Sequence, residues 1–312
     1  MKLNSSKATK DTVLELLSFT ILFEPPKAAW GIKMIFVYKY WELFCRKLRE
    51  QGIKSATAQS ITNNKDGKPY LILKHDIETN VSKAYALACI EKKYGHCGSY
   101  YVQAYLLNSR RNIKLLTKMS KMGHEISYHY DVMDSNKGRL TEAIKEFEEN
   151  RKIFEDNGFQ ITTVCQHGNP VIERKGYTSN RDFFRSNKVQ ALYPEISDIM
   201  VNFHVVTKTE FQYYSDAGRR FQKIYDPLNN DIIDSSNKNI CYDELDDILK
   251  DVINSKENII ISIHPHRWNR SVFINQIKTG IFFIVKKSVR ILVKFPLIKR
   301  FISRYYYLAK KI

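Results

Sequence analysis

The chain has 312 residues, 43% of them hydrophobic and 12% aromatic, which excludes a disordered chain and leaves room for one large α/β domain or two ordinary ones. The formal charge of +17 and pI near 9.5 call for an anionic neighbour; without a zinc-finger or aromatic RNA-binding motif, nucleic acid is not expected to be that partner. Five cysteines at 45, 89, 97, 165 and 241, with no C-x-x-C pair, read as free thiols of a reducing compartment.

Leu14 to Phe23 is apolar but interrupted by Glu15 and stopped by Glu24-Pro25-Pro26. It is too short to span a membrane and lacks a small-residue cleavage site, so residues 1–33 are expected to be a helix and a linker. Val37, Trp41, Phe44 and Leu48 form the inward stripe of a helix over Met34–Glu50. A polar turn from Asn63 to Pro69 then introduces Tyr70-Leu71-Ile72-Leu73-Lys74-His75-Asp76-Ile77-Glu78, a short apolar run that reads as a buried strand. Asn80 is placed to cap a helix over Val81–Tyr94. Strands follow at 98–102, 124–129 and 161–165, with helices predicted between them over Asn112–Met122 and Thr141–Asp156. A further helix is expected over Tyr242–Ile253 and an apolar strand over Asn258–Ile263. Strands alternating with helices predict an α/β fold with a mainly parallel sheet, open or closed into a barrel.

Eight histidines are present, and five of them (75, 129, 167, 264, 266) fall at predicted strand C-termini or just after. In parallel α/β folds this is the end where catalytic groups collect. Asp76, Glu78 and Asp131 sit at the same ends, and Asp216 joins them if Phe211–Tyr214 is a strand. Histidines and carboxylates converging on one cleft point to metal-assisted hydrolysis or acid–base chemistry. His96, His124 and His204 lack that setting and read as structural.

Lys74-His75-Asp76-Ile77-Glu78, Gly123-His124-Glu125-Ile126-Ser127-Tyr128-His129-Tyr130-Asp131, Gln166-His167-Gly168 and Ile263-His264-Pro265 occur in the order of the polysaccharide deacetylase motifs. The chain thereby resembles the NodB-homology group of carbohydrate esterases, in particular its divergent branch encoded with surface-polysaccharide genes. The resemblance covers roughly residues 66–270. It implies a distorted (β/α) barrel that uses a divalent metal, most often zinc, to remove acetyl groups from amino sugars. Carried over by motif, Asp76 is the general base, Glu78 and His129 are metal ligands, and His264 is the general acid. The family's second metal histidine, four residues after the first, is replaced here by Met133, a poor ligand for a water-activating ion. Its arginine-bearing third motif is replaced by Gln166-His167-Gly168. His167 is the candidate for the missing ligand, and Asp131 is a second.

His75, Asp131, Asp216, Arg219, His266 and Trp268 are the candidate substrate-binding residues. Asp216 is also suited to orient a catalytic group, Arg219 or Arg220 to bind an anion, and Trp268 to stack on a sugar. Lys278 to Ile312 carries ten Lys or Arg and no acidic residue, with apolar residues interleaved. That suits a helix on an anionic membrane face, or equally a basic helix packed on the barrel. The expected organisation is a helical extension over 1–65, a deacetylase-like barrel over 66–270 and basic amphipathic helices over 271–312. The activity expected is that of a deacetylase acting on an acetylated sugar of a surface polysaccharide or its precursor, in the cytoplasm and, by the membrane reading of the tail, at the inner face of the cell membrane. The rival is a catalytically silent member that binds glycan or scaffolds its assembly.

Overall fold

The structure is a computed structural model and describes residues 36–62, 69–169, 172–229 and 239–292, the last eight without their side chains. The predicted helix before residue 34, the 63–68 turn and residues 293–312 of the basic tail lie outside the described residues. The division of the chain falls at Ile32/Lys33, and all that follows concerns the second unit.

The sheet is built from β1 (Ser55–Ala56), β2 (Leu71–Ile77), β3 (Gly98–Val102), β4 (Glu125–Tyr130), β5 (Thr163–Gln166), β6 (Ser197–Asp198), β7 (Phe211–Ser215), β8 (Phe221–Ile224), β9 (Ile240–Tyr242) and β10 (Asn258–Ile263). Their order is β6-β5-β4-β3-β2-β10-β7-β8-β9. Pairing is parallel from β6 across to β7, with β8 and β9 added antiparallel at one edge. This is the expected mainly parallel α/β fold, with β2 at its centre. Two-residue β1 pairs with Leu71 and Ile72, below the point where β3 joins at Leu73. Gly98 opens β3 because a β-carbon there would meet the Leu73 carbonyl at 2.8 Å and the Glu91 carboxylate at 3.0 Å.

The six longer helices are α1 (Tyr38–Glu50), α2 (Val81–Lys93), α3 (Arg110–Lys121), α4 (Leu140–Asp156), α5 (Leu245–Asn254) and α6 (Val272–Leu292), of which the first five pack into the clusters that cover the sheet. Asn80 caps α2 by accepting from the Lys83 N–H, as its position predicts. The α1 stripe of Trp41, Phe44 and Leu48 is buried with Leu71, Leu73, Ile259 and Ile261, so α1 is part of the sheet's own core. Each such side chain contributes about 1.5–3 kcal/mol by leaving water.

Side chains alternate between the two faces of each strand, and the alternation separates oil from chemistry. On β2, Leu71, Leu73 and His75 point toward the helix layer, whereas Ile72, Lys74 and Asp76 point the other way. Ile72 shares a buried cluster with Tyr101 of β3, Cys165 of β5, Tyr213 of β7, Ile260 of β10, Met200 and Phe203. Residues from β5 and β7 meet there although three strands and β10 separate them in the sheet order, so the sheet curls around this face. The candidate site occupies the C-terminal rim of that concave side.

Candidate active site

Four strand ends deliver the candidate groups. β2 supplies Asp76 and, one residue past its end, Glu78; β4 supplies His129; β5 leads into His167; β10 leads into His264. All but His264 are buried. One carboxylate oxygen of Glu78 and one ring nitrogen each of His129 and His167 lie within 4.8 Å of one another. The His167 Nε2 is 3.3 Å from the Glu78 Oε1, and the two imidazoles meet edge to face at 5.2 Å.

The backbone holds both histidines in place. His129 Nδ1 donates to the Cys165 carbonyl at 3.0 Å, which leaves its Nε2 for the cleft and is the usual outer support of a metal-ligating imidazole. Burial, offset in part by Asp76 and reinforced by His167 and Lys74, pushes His129 down to about 3, so the ring is neutral at ordinary pH. The His167 N–H donates to the Tyr130 carbonyl at 2.7 Å, and the Asn180 amide donates to the His167 carbonyl at 2.8 Å. Asn180 is in turn bonded to Asp134, which also takes a bidentate contact from Arg174.

Asp76 is gripped by a residue the sequence reading passed over. The buried Lys74 ammonium lies 2.6 and 2.5 Å from the two Asp76 carboxylate oxygens and 3.2 Å from the Ser262 hydroxyl. Burial pushes the Asp76 carboxyl up, but Lys74, His129 and His264 outweigh it and hold it below the usual carboxylate range. Burial likewise works against the Lys74 charge, yet Asp76 carries that group well above its ordinary value. Asp76 is therefore an anion beside the Glu78–His129–His167 group. A lysine two residues before an aspartate, inside an otherwise apolar strand, shares its face by alternation, and this was the available signal.

His264 is oriented from behind. Its Nδ1 is 2.5 Å from the Asp216 Oδ1, and its backbone N–H donates to the other Asp216 oxygen at 2.9 Å. Arg267 donates to the same Oδ1 at 2.8 Å. Burial raises Asp216, but Arg267 and His264 overcome this and keep it far below the usual range. With Nδ1 turned to Asp216, the Nε2 faces Asp76 at 3.8 Å and Glu78 at 3.9 Å. These gaps exceed hydrogen-bond length, so His264 neighbours both carboxylates without a direct bond to either.

The remaining candidates are placed as follows. Asp216 is fully buried behind His264 and bonded to it, so it offers no surface to a ligand and is placed to orient that ring. His75 lies on the helix side of β2, stacked on Tyr100 at 4.1 Å with its Nε2 2.8 Å from the buried Glu91; strand alternation alone separates it from Asp76. Trp268 is fully buried against Trp41 and Phe36 and presents no face to a ligand. Arg219 is buried, donating to the Thr279 hydroxyl of α6 at 3.1 Å and lying over Phe282. Asp131 opens the short helix Val132–Ser135, outside the Glu78–His129–His167 group. His266, its ring 5.9 Å from that of His264, lines a neighbouring cavity. Met133 is buried in the apolar cluster on the helix side, with Tyr130, Phe147 and Phe183. His96 and His124 are structural, as expected: His124 accepts from the Gly98 N–H at 3.0 Å, and the His96 Nε2 meets the Cys45 carbonyl at 2.9 Å.

Among the described residues no helix is long and apolar enough to cross a membrane. The five cysteines are free. The chain matches no protein-family model and no curated protein. Among solved structures it is similar to the peptidoglycan deacetylase PdaC from Bacillus subtilis, at 10% sequence identity and a TM-score of 0.33, over 73% of this chain and 98% of that one. So distant a likeness decides nothing about activity, which has to be argued from the side chains themselves.

Proposed function

We propose that this protein is a metal-dependent deacetylase that removes an acetyl group from an amino sugar of a surface polysaccharide or its lipid-linked precursor. The observation that supports it most is the juxtaposition of a Glu78–His129–His167 donor group with the Lys74-held Asp76 and the Asp216-backed His264. The motif resemblance assigns the same residues to the same chemistry, with His167 supplied from a different place in the chain.

The donor set fits a divalent ion. Two imidazoles and one carboxylate, with at least His129 fixed by a second-sphere carbonyl, are the ligand types of catalytic zinc sites. Glu78, His129 and His167 would hold the ion. When bound, it supplies Lewis-acid polarisation of the acetyl carbonyl and a more acidic water.

The chain's own residues do the rest. Asp76, kept ionised by Lys74, takes the proton of the attacking water. His264, with Nδ1 bonded to Asp216, presents Nε2 to the cleft and gives its proton to the leaving amine; the Asp216 charge stabilises the imidazolium that precedes that transfer. The His264 Nε2, 3.8 and 3.9 Å from the two carboxylates, places acid and base at the same end of the cleft.

The test is metal analysis of the full chain, paired with acetate release from N-acetylated amino-sugar oligomers. Asp76→Asn and His264→Ala are each expected to reduce turnover about 10²–10⁴-fold with unchanged circular dichroism. Turnover at the wild-type level in both variants would overturn the assignment. A chain that takes up no divalent metal and releases no acetate would point instead to a silent glycan-binding protein.

A further inference from the structure

We propose that the cavity beside His266, of about 510 Å³, is a subsite for a phosphoryl or pyrophosphoryl group carried by the sugar substrate. The identity of the sugar rests on the deacetylase reading; the preference for the anion does not.

The cavity shares a wall with the candidate active site. Thr79, directly after Glu78, and His266, two residues after His264, both line it. Two helices that are distant in sequence begin at its edge: α2, capped by Asn80, and α3, capped by Ser109. Helix starts concentrate partial positive charge and favour phosphate. Three full cations, Lys83, Arg111 and Lys278, line the same space, and none of the described lining residues is acidic. That much positive charge exceeds the demand of a single carboxylate and matches a group carrying about two negative charges.

One half-buried group shows that the cavity is electrostatically unfinished. The Lys83 ammonium donates to the His266 carbonyl at 2.6 Å and contacts the Asn269 side-chain oxygen at 3.4 Å, both neutral acceptors. Burial lowers it to about 8, and the charges of Lys278 and Arg219 push the same way. It is a half-buried cation among cations. His266 lines the cavity beside it. An anion in the cavity would balance the charge that Lys83 shares with its cationic neighbours.

A phosphoryl group there would belong to a sugar whose acetyl group reaches the Asp76–His264 site, so the substrate class is a sugar phosphate or diphosphate. Nucleotide-linked and lipid-linked sugars offer the same chemistry.

Titration calorimetry of the full chain at low salt tests the subsite without using activity. Pyrophosphate is expected to bind at one site, more tightly than acetate, with affinity falling as sodium chloride is raised. Arg111→Gln, at an exposed position, and Lys83→Met are each expected to weaken binding at least tenfold, and Lys83→Arg to retain it. Pyrophosphate binding no tighter than acetate, or unchanged in Arg111→Gln, would overturn the proposal. Acetate release from a neutral N-acetylhexosamine, its 1-phosphate, a nucleoside diphosphate sugar and a polyprenyl diphosphate sugar then separates the sources. A lower KM for the charged sugars that Arg111→Gln abolishes is the expected result. Pyrophosphate binding without turnover of any acetylated sugar would sink the deacetylase reading and leave the subsite standing. Equal turnover of neutral and charged sugars without pyrophosphate binding would do the reverse.

Discussion

Lys74 and Asp76 sit two residues apart on one strand, with the ammonium of the first within 2.6 Å of both carboxylate oxygens of the second. The pair is almost wholly buried, so neither member has water to fall back on. Removing one partner of such a pair typically costs about 3–5 kcal/mol, because the survivor is left charged and unpaired.

Lys74→Met is therefore expected to destabilise the fold by that order and to reverse the pH dependence that Asp76 contributes. In the wild type the Asp76 carboxyl is held below its ordinary value. Its contribution is present above the unfolded pKa and is lost as pH falls through the lower, folded one. Without Lys74, burial dominates and the folded pKa rises, so the variant gains stability as pH drops from 8 toward 5. Urea denaturation of both proteins at pH 5 and pH 8 checks this. A variant whose deficit is the same at both values would show that Lys74 does not set the Asp76 charge.

Asp216→Asn probes the support of His264. An amide keeps an oxygen for the His264 backbone N–H but removes the charge that stabilises a protonated ring. Turnover is expected to fall about 10²–10⁴-fold with metal content unchanged, since Asp216 lies outside the Glu78–His129–His167 group. Turnover within threefold of wild type would mean that Asp216 only packs against Arg267.

Much of this site was legible in the sequence because strand ends are legible. The apolar runs within 70–78 and 258–263 and the short segment 124–129 between two helical patterns announce strands of a parallel sheet, and parallel strands collect polar groups at their C-terminal ends, which is how Asp76, Glu78, His129, His167 and His264 stood out. Facing was less well read. The period of two that places Asp76 in the cleft necessarily removes His75 from it and adds Lys74. The surroundings of Trp268 and Asp216 were hidden for another reason: no local pattern shows that Trp41, thirty residues before β2, returns to cover Trp268, or that β7 lies beside β10. Such long-range pairings are set by the tertiary fold. Asn180, which fixes the His167 carbonyl from 13 residues away, carried no signal beyond being an asparagine in a loop.

Asp198 gives a stability prediction remote from the chemistry. It is fully buried in β6, accepts from the Tyr130 hydroxyl at 2.7 Å and the Met200 N–H at 2.6 Å, and is raised by burial to about 6 despite those bonds. A raised carboxyl binds its proton more tightly in the folded state. Stability is therefore lost as pH climbs from about 4 to about 6, by on the order of 3 kcal/mol for a shift of this size. Asp198→Asn is expected to remove that component, so the variant gains on the wild type as pH rises through this window. Parallel stability curves for the two proteins from pH 4 to pH 7 would refute it.

The sharpest prediction contrasts two residues that the motif resemblance would exchange. Met133 stands where the motif resemblance expects a ligand histidine, four residues after His129, and it is buried with Tyr130, Phe147 and Phe183 in the apolar cluster. His167 presents Nε2 at 3.3 Å from Glu78, its backbone tied to Tyr130 and Asn180. The proposed metal site takes its third ligand from the loop after β5, the parallel neighbour of β4, and not from the helix after β4. His167→Ala is accordingly expected to lose bound metal and turnover together, with His167→Cys recovering part of the metal because a thiolate also serves zinc. Met133→Leu keeps volume and polarity, is expected to cost less than about 1.5 kcal/mol, and should leave metal content unchanged. Metal analysis of the three purified variants against wild type decides the matter. Retention of stoichiometric metal in His167→Ala, or its loss in Met133→Leu, would place the third ligand elsewhere and remove His167 from the site.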